Sequence, residues 1–212
     1  MIDNSNIDIV LKNIEHAVSD VPYVSSLNDP FRILVGTVLS ARTRDETTAK
    51  VTEQLFRQIS TAAELAVIPI DKLEQIIYKT GFYKTKARHL KQLSEQLIQE
   101  HDGNVPDTID ELVKLPGVGR KTANLVVITA FDKPGVCVDT HVHRITNRWG
   151  YVTTKSADKT EMALRAKLPE QHWNSINWLL VQFGKQICKP IVPLCSMCKL
   201  NEICPKIDVL KK

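Results

Sequence analysis

Residues 115–123 read Leu115-Pro116-Gly117-Val118-Gly119-Arg120-Lys121-Thr122-Ala123, two alternate glycines between two apolar runs. The run Ile109–Leu115 leads in and the run Ala123–Phe131 leads out, so the stretch forces a sharp reversal between two helices. Glycine has no Cβ, which lets the backbone turn tightly and approach another group closely. The second helix starts at about Gly119. Its first N–H groups, which have no partner within the helix, and the positive end of its dipole then face out of the turn. Helix starts of this kind bind anions, phosphate above all. A helical hairpin turning on glycine can equally be structural, and the choice rests on the remainder of the chain.

That remainder is helical. Ile7, Val10, Leu11, Ile14, Ala17 and Val18 repeat at helical spacing over residues 5–19, and Val21-Pro22 stops the run. Asn28-Asp29-Pro30 opens a second helix through Leu39, with proline suited to the first turn. A third runs from Asp45 to Ile59, and short helical pieces follow near Thr61 and Asp71. Gly81 interrupts the pattern, which resumes from Lys84 to Glu100 and ends in an Asp102-Gly103 turn. Asp107 is placed to cap the helix that enters the hairpin. Beyond the breaker Asp132-Lys133-Pro134-Gly135 and a short extended piece at Val136–Val138, Asp139 heads a helix to about Trp149. Two more helices are expected at Ala157–Leu168 and His172–Gly184. With no alternating strand pattern and no internal repeat, the fold class is all-α.

The length of 212 residues suits one large or two small domains. A net charge of +4 is mildly basic, which permits a nucleic-acid partner without demanding one. Residues 1–6 lack the basic and apolar regions of a signal peptide, and no apolar run reaches membrane-spanning length. The expectation is a soluble, cytoplasmic protein with no membrane partner.

Four of the five cysteines fall within the last 25 residues, as Cys188-x6-Cys195-x2-Cys198-x5-Cys204. So tight a cluster with an odd total argues against a disulfide framework and for a metal centre. Structural zinc usually takes two tight pairs, whereas only one pair is tight here, and the irregular outer spacings suit an iron–sulfur cluster at least as well as zinc. Cys137 is left over in an apolar setting, as a small buried hydrophobe. Trp149, Trp173 and Trp178 lie at helical apolar positions and are expected in the core.

The hairpin motif, the cysteine spacing and the segment Val138-Asp139-Thr140-His141-Val142-His143-Arg144 together resemble the endonuclease III family of helix-hairpin-helix DNA glycosylases. The resemblance covers about Pro30 to Cys204. It implies two helical domains, a six-helix barrel over residues 24–133 and an iron–sulfur domain of residues 1–23 and 134–212, with the active site in the cleft between them. It implies a [4Fe–4S] cluster on Cys188, Cys195, Cys198 and Cys204, and a monomer acting at the nucleoid on double-stranded DNA with damaged bases or abasic sites. Lys121 matches the catalytic lysine of bifunctional glycosylases. An amine attacks only when neutral, and both the helix dipole and the adjacent Arg120 favour that form. Asp139 matches the family's catalytic aspartate, although an aspartate before a helix is also an ordinary N-cap. The amides of Gly117, Val118 and Gly119 would grip a phosphate, and His141 and Lys189 would add DNA contacts. His141 and Arg144 serve rather to hold their segment or touch phosphate than as acid and base.

Leu39-Ser40-Ala41-Arg42-Thr43-Arg44-Asp45 resembles the family segment whose glutamine fills the gap left by a flipped nucleotide. Arg42 stands at that position, a departure that bears on opposite-base preference. Gly81-Phe82-Tyr83-Lys84-Thr85-Lys86-Ala87 resembles the loop that wedges an apolar side chain into the duplex, with Phe82 as the wedge; the alternative for such a Phe is the core. The implied activity is removal of oxidised pyrimidines through a lysine Schiff base, with strand cleavage by β-elimination. A mismatch glycosylase acting on T/G or U/G pairs, or a non-catalytic DNA-binding protein, are the alternatives. An adenine glycosylase is disfavoured, because residues 31–44 carry no acid.

Overall fold

The computed structural model describes residues 1–18 and 29–209. Among these there are eleven α-helices and no strand. The helix stop at Val21-Pro22, the role of Asn28 and the expected boundary between residues 23 and 24 lie outside the described residues. The chain divides into two compact units, one of Met1–Val24 with Pro134–Lys212 and the other of Ser25–Lys133. Among the described residues no helix is long and apolar enough to cross a membrane.

The continuous unit holds α2 (Pro30–Ser40), α3 (Asp45–Phe56), α4 (Ala62–Val67), α5 (Ile70–Ile77), α6 (Tyr83–His101), α7 (Ile109–Leu112) and α8 (Arg120–Phe131). Six of them are two turns or thereabouts and longer; α7 is a single turn. Local chemistry sets most of the starts. Asp29 accepts the Arg32 amide at 3.1 Å with Pro30 behind it, and Thr61 and Glu64 cap α4 reciprocally. The cap of α7 is Thr108 and not Asp107. Thr108 immediately precedes the first helical residue and its Oγ1 accepts the Glu111 amide, while the Asp107 carboxylate pairs with Lys133 at 2.5 Å. Leu34 and Leu39 of α2, Leu90 and Leu93 of α6, and Ala123 and Val126 of α8 are wholly buried in one core. Each such leucine contributes about 1.5–3 kcal/mol relative to exposure. This packing fixes where α8 begins and where the turn after α2 projects.

The second unit is built from α1 (Ile7–Val18), α9 (Thr140–Arg148), α10 (Ala157–Lys167) and α11 (Trp173–Gln186). Ile7, Val10 and Ile14 of α1 share a core with Val142 and Ile145 of α9 and Leu180 of α11. Trp149 is buried, its ring centroid 6.5 Å from that of Phe183. Trp173 and Trp178 pack half-buried on the same core, and Trp173 Nε1 donates to Leu168 O at 2.9 Å. Cys137 is buried, as a small hydrophobe would be. Residues 187–209 follow α11 without regular structure except a 3-10 turn at Cys195–Met197.

Candidate active site

The hairpin after α7 separates the two glycines by function. Gly117 sits at φ +79°, and a Cβ there would lie 2.9–3.2 Å from the His89 ring and Cβ. Gly119, by contrast, is the N-cap of α8 with extended backbone, and a Cβ on it would meet nothing within 4 Å. The fold therefore demands glycine at 117 and leaves room at 119 for an outside group. The expected grip by Val118 needs correcting. Its side chain is buried and its amide donates to Leu115 O at 3.1 Å, so it is committed to the turn. The Gly119 amide makes no hydrogen bond to any described residue. Gly119 contributes no capping side chain and the first turn of α8 holds no acid of its own, so the positive helix end favours an anion there. Lys121 is exposed on that first turn, beside half-buried Arg120.

Upstream in the same unit, the turn after α2 meets the turn before α6. Arg42 (φ 53°) and Phe82 (φ 59°) are both left-handed, a conformation that side chains seldom adopt. The Arg42 guanidinium lies 5.3 Å from the centroid of the Phe82 ring. Phe82 is 63% exposed, which rules out the core as its place. Gly81 permits this approach: a Cβ on it would stand 2.6 Å from Arg42 O. Lys86, one turn into α6, is only 6% exposed and donates to Leu39 O and Ala41 O at 2.7 Å each and to Thr43 Oγ1 at 3.0 Å. Burial pulls its amine down to about 8.

In the other unit Asp139 is half-buried and does cap α9. One oxygen, Oδ1, accepts the amides of His141 at 2.8 Å and Val142 at 2.9 Å. The second oxygen is left for other chemistry. Arg144 Nη2 approaches His141 Nδ1 at 3.2 Å and donates to Cys188 O at 3.0 Å. His141 packs against Gly184 of α11, where a Cβ would collide with its ring. These two residues hold the segment in place, as the sequence suggests.

Cys188, Cys195, Cys198 and Cys204 line a single pocket with Trp149, Phe183 and Leu200. Among the described residues no group of three or more His, Cys, Asp or Glu stands close enough to hold a single metal ion. Burial first, and then the neighbouring cysteine sulfurs, push the thiols of Cys198 and Cys204 up. Four sulfurs that repel one another as thiolates in a half-buried pocket are a fitting donor set for a cationic iron–sulfur core. Arg148, 7% exposed, supports the first loop of the tail by donating to Lys189 O at 2.7 Å and Pro190 O at 2.5 Å, and its Nη1 lies 3.6 Å from Cys188 Sγ. The Lys189 side chain is exposed.

Comparison with known proteins decides the family. Residues 35–170 match the HhH-GPD superfamily of base excision DNA repair proteins. Endonuclease III of Thermotoga maritima is 49% identical over 176 residues, covering 83% of each chain. The chain belongs to the endonuclease III family. Endonuclease III of Bacillus subtilis is 39% identical over 178 residues, covering 84% of this chain and 81% of that one. A solved structure of a trapped endonuclease III–DNA covalent intermediate superposes with a TM-score of 0.88 at 36% identity, over 97% of each chain. An endonuclease III fold of this kind makes the chain a base excision repair enzyme with DNA glycosylase and abasic-site lyase activity.

Two supporting residues of this endonuclease III-like site lie within the motif segments but carry no role assigned from sequence. Lys86 falls on the stripe Lys86, Leu90, Leu93, Leu97 that α6 buries, and Arg148 lies three residues after buried Ile145 on α9. A long cation on an otherwise apolar stripe is the signal for both, since burying one requires partners.

Proposed function

We propose that this chain excises oxidised pyrimidines from duplex DNA and cuts the strand 3′ to the resulting abasic site, with Lys121 as nucleophile. Lys121, exposed on the N-terminal turn of α8 behind Gly119, carries the reading. The Gly119 amide and the start of α8 hold a backbone phosphate. Arg42 and Phe82 enter the duplex in place of the extruded nucleotide. Neutral Lys121 attacks C1′, the C1′–N bond breaks, and the base departs with its electron pair and takes up a proton. Asp139 accepts the proton lost by the amine and stabilises positive charge at C1′ through the oxygen not used in capping. The sugar ring opens to a Schiff base, a C2′ proton is removed, and the C3′–O bond breaks to release the 3′ strand; water then frees Lys121. His141 and Lys189 stand as further DNA contacts.

Cys188, Cys195, Cys198 and Cys204 are the proposed ligands of a [4Fe–4S] cluster, which supplies covalent cross-links to a tail that has little regular structure. The enzyme acts as a monomer on chromosomal DNA. Borohydride reduction on a duplex carrying an abasic site tests the nucleophile. A covalent adduct is expected with the native chain and none with Lys121→Gln, while binding to the duplex persists. Absence of an adduct with the native chain refutes the lyase reading and favours a mismatch glycosylase or a DNA-binding role. Purified protein with iron and broad visible absorbance supports the cluster; zinc without iron refutes it. A panel of duplexes with oxidised pyrimidines, uracil and mismatches decides the base.

A further inference from the structure

The buried ammonium of Lys86 has no place in the chemistry above, yet it is fully engaged. An ammonium has three donors, and Leu39 O, Ala41 O and Thr43 Oγ1 take all three. Leu39 and Ala41 flank the C-terminus of α2, where carbonyls lose their intrahelical partners and the dipole favours a cation. Between Ala41 and Thr43 stands Arg42, held left-handed at φ 53°. Thr43 Oγ1 also accepts the Gly81 amide at 3.1 Å, which places Phe82 directly beside the same junction. One cation thus spans from the first turn of α6 to the turn after α2, and the two exposed side chains at its edge are Arg42 and Phe82.

We propose that Lys86 is a positioning residue for base extrusion, binding the Arg42 and Phe82 turns into one two-pronged unit that enters duplex DNA. The inference rests on the reading that those two side chains insert. Left-handed turns of non-glycine residues persist only where their surroundings over-determine them, and the three Lys86 hydrogen bonds supply that constraint. Without it each turn relaxes separately, and the prongs lose their common orientation. The loss matters only where a nucleotide must be pulled from a stack. A single strand offers its abasic site without extrusion.

The test compares single-turnover cleavage of an abasic site in a duplex and in a single strand, using the full-length, cluster-loaded enzyme. Lys86→Met is expected to lower the duplex rate by about tenfold or more while the single-strand rate stays within about twofold. Lys86→Arg, which restores the charge with a different donor geometry, should recover part of the duplex rate. Thr43→Val removes one acceptor without opening a hole and should shift the ratio the same way by less, which keeps the test decisive should Lys86→Met fold poorly. Arg42→Ala and Phe82→Ala serve as references. If these lower the duplex-to-single-strand ratio while Lys86→Met or Thr43→Val, verified as folded, leaves it unchanged, the Lys86 role is overturned alone. If Lys86→Met lowers both rates together, the residue is merely structural and the inference falls. If Arg42→Ala and Phe82→Ala leave the ratio unchanged, the insertion reading fails and takes the Lys86 role with it.

Discussion

Asp139 caps α9, and the proposed mechanism gives it a second, catalytic job; a pair of substitutions separates the two. Its Oδ1 alone accepts both the His141 and the Val142 amides, at 2.8 and 2.9 Å. Asp139→Asn keeps an oxygen in that position and removes the charge; Asp139→Ala removes both. Loss of a capping aspartate costs about 1 kcal/mol, and loss of the charge facing the α9 dipole about 0.5 kcal/mol. The Ala variant should therefore destabilise the start of α9 by roughly 1.5 kcal/mol and the Asn variant by roughly 0.5 kcal/mol. Amide hydrogen exchange at His141 and Val142 reads this locally: about tenfold faster exchange in Asp139→Ala, about twofold in Asp139→Asn. Both variants should lose about 10²- to 10⁴-fold in single-turnover base excision, the usual contribution of a placed general base. An Asn variant that excises at the native rate would show that the carboxylate charge is not needed. An Asn variant whose two amides exchange as fast as in the Ala variant would show that Oδ1 is not what holds the helix start.

The hairpin glycines should respond oppositely. Gly117→Ala sets a Cβ against His89 at a positive φ and is expected to destabilise its unit by about 1–3 kcal/mol in chemical denaturation. Gly119→Ala meets open space and should leave stability nearly unchanged while weakening binding to duplex DNA, as measured by titration at fixed salt. Equal stability losses in the two variants would refute the division. Lys86 makes a pH prediction. Burial lowers its amine from 10.5 to about 8, so the unfolded chain holds that proton over a range where the folded chain has released it. Its contribution to stability is least below about pH 8 and grows as the pH rises toward 10.5. Native minus Lys86→Met stability, followed by denaturation from pH 7 to 10, should therefore increase; a flat or falling difference contradicts the burial.

Much of this molecule is legible in its residue order because the signals are short-range. A helix declares itself through apolar spacing within a turn or two, and a cap through a hydrogen bond across two or three residues. The cap at Asp139 and the helix starts near Asp29 and Thr61 are read correctly on that basis, and Gly81, Gly103 and Pro134 mark real interruptions. The cysteine spacing and the hairpin motif point to the family because ligands and turns of this kind are also set over a few residues. The choice of Thr108 over Asp107 lies at the edge of such reasoning: both are good caps, and Asp107 was drawn off by Lys133, 26 residues away. What only the tertiary structure decides is where long side chains end. Lys86 finds its acceptors 43, 45 and 47 residues back, and Arg148 finds its own 41 and 42 residues ahead. The same holds for the distinction between Gly117, filled against by His89, and Gly119, left open. Local propensity dictates the helices and their ends; the orientation of Arg42 and Phe82 depends on buried contacts between turns far apart in the chain, and those exist only once α2, α6 and α8 share a core.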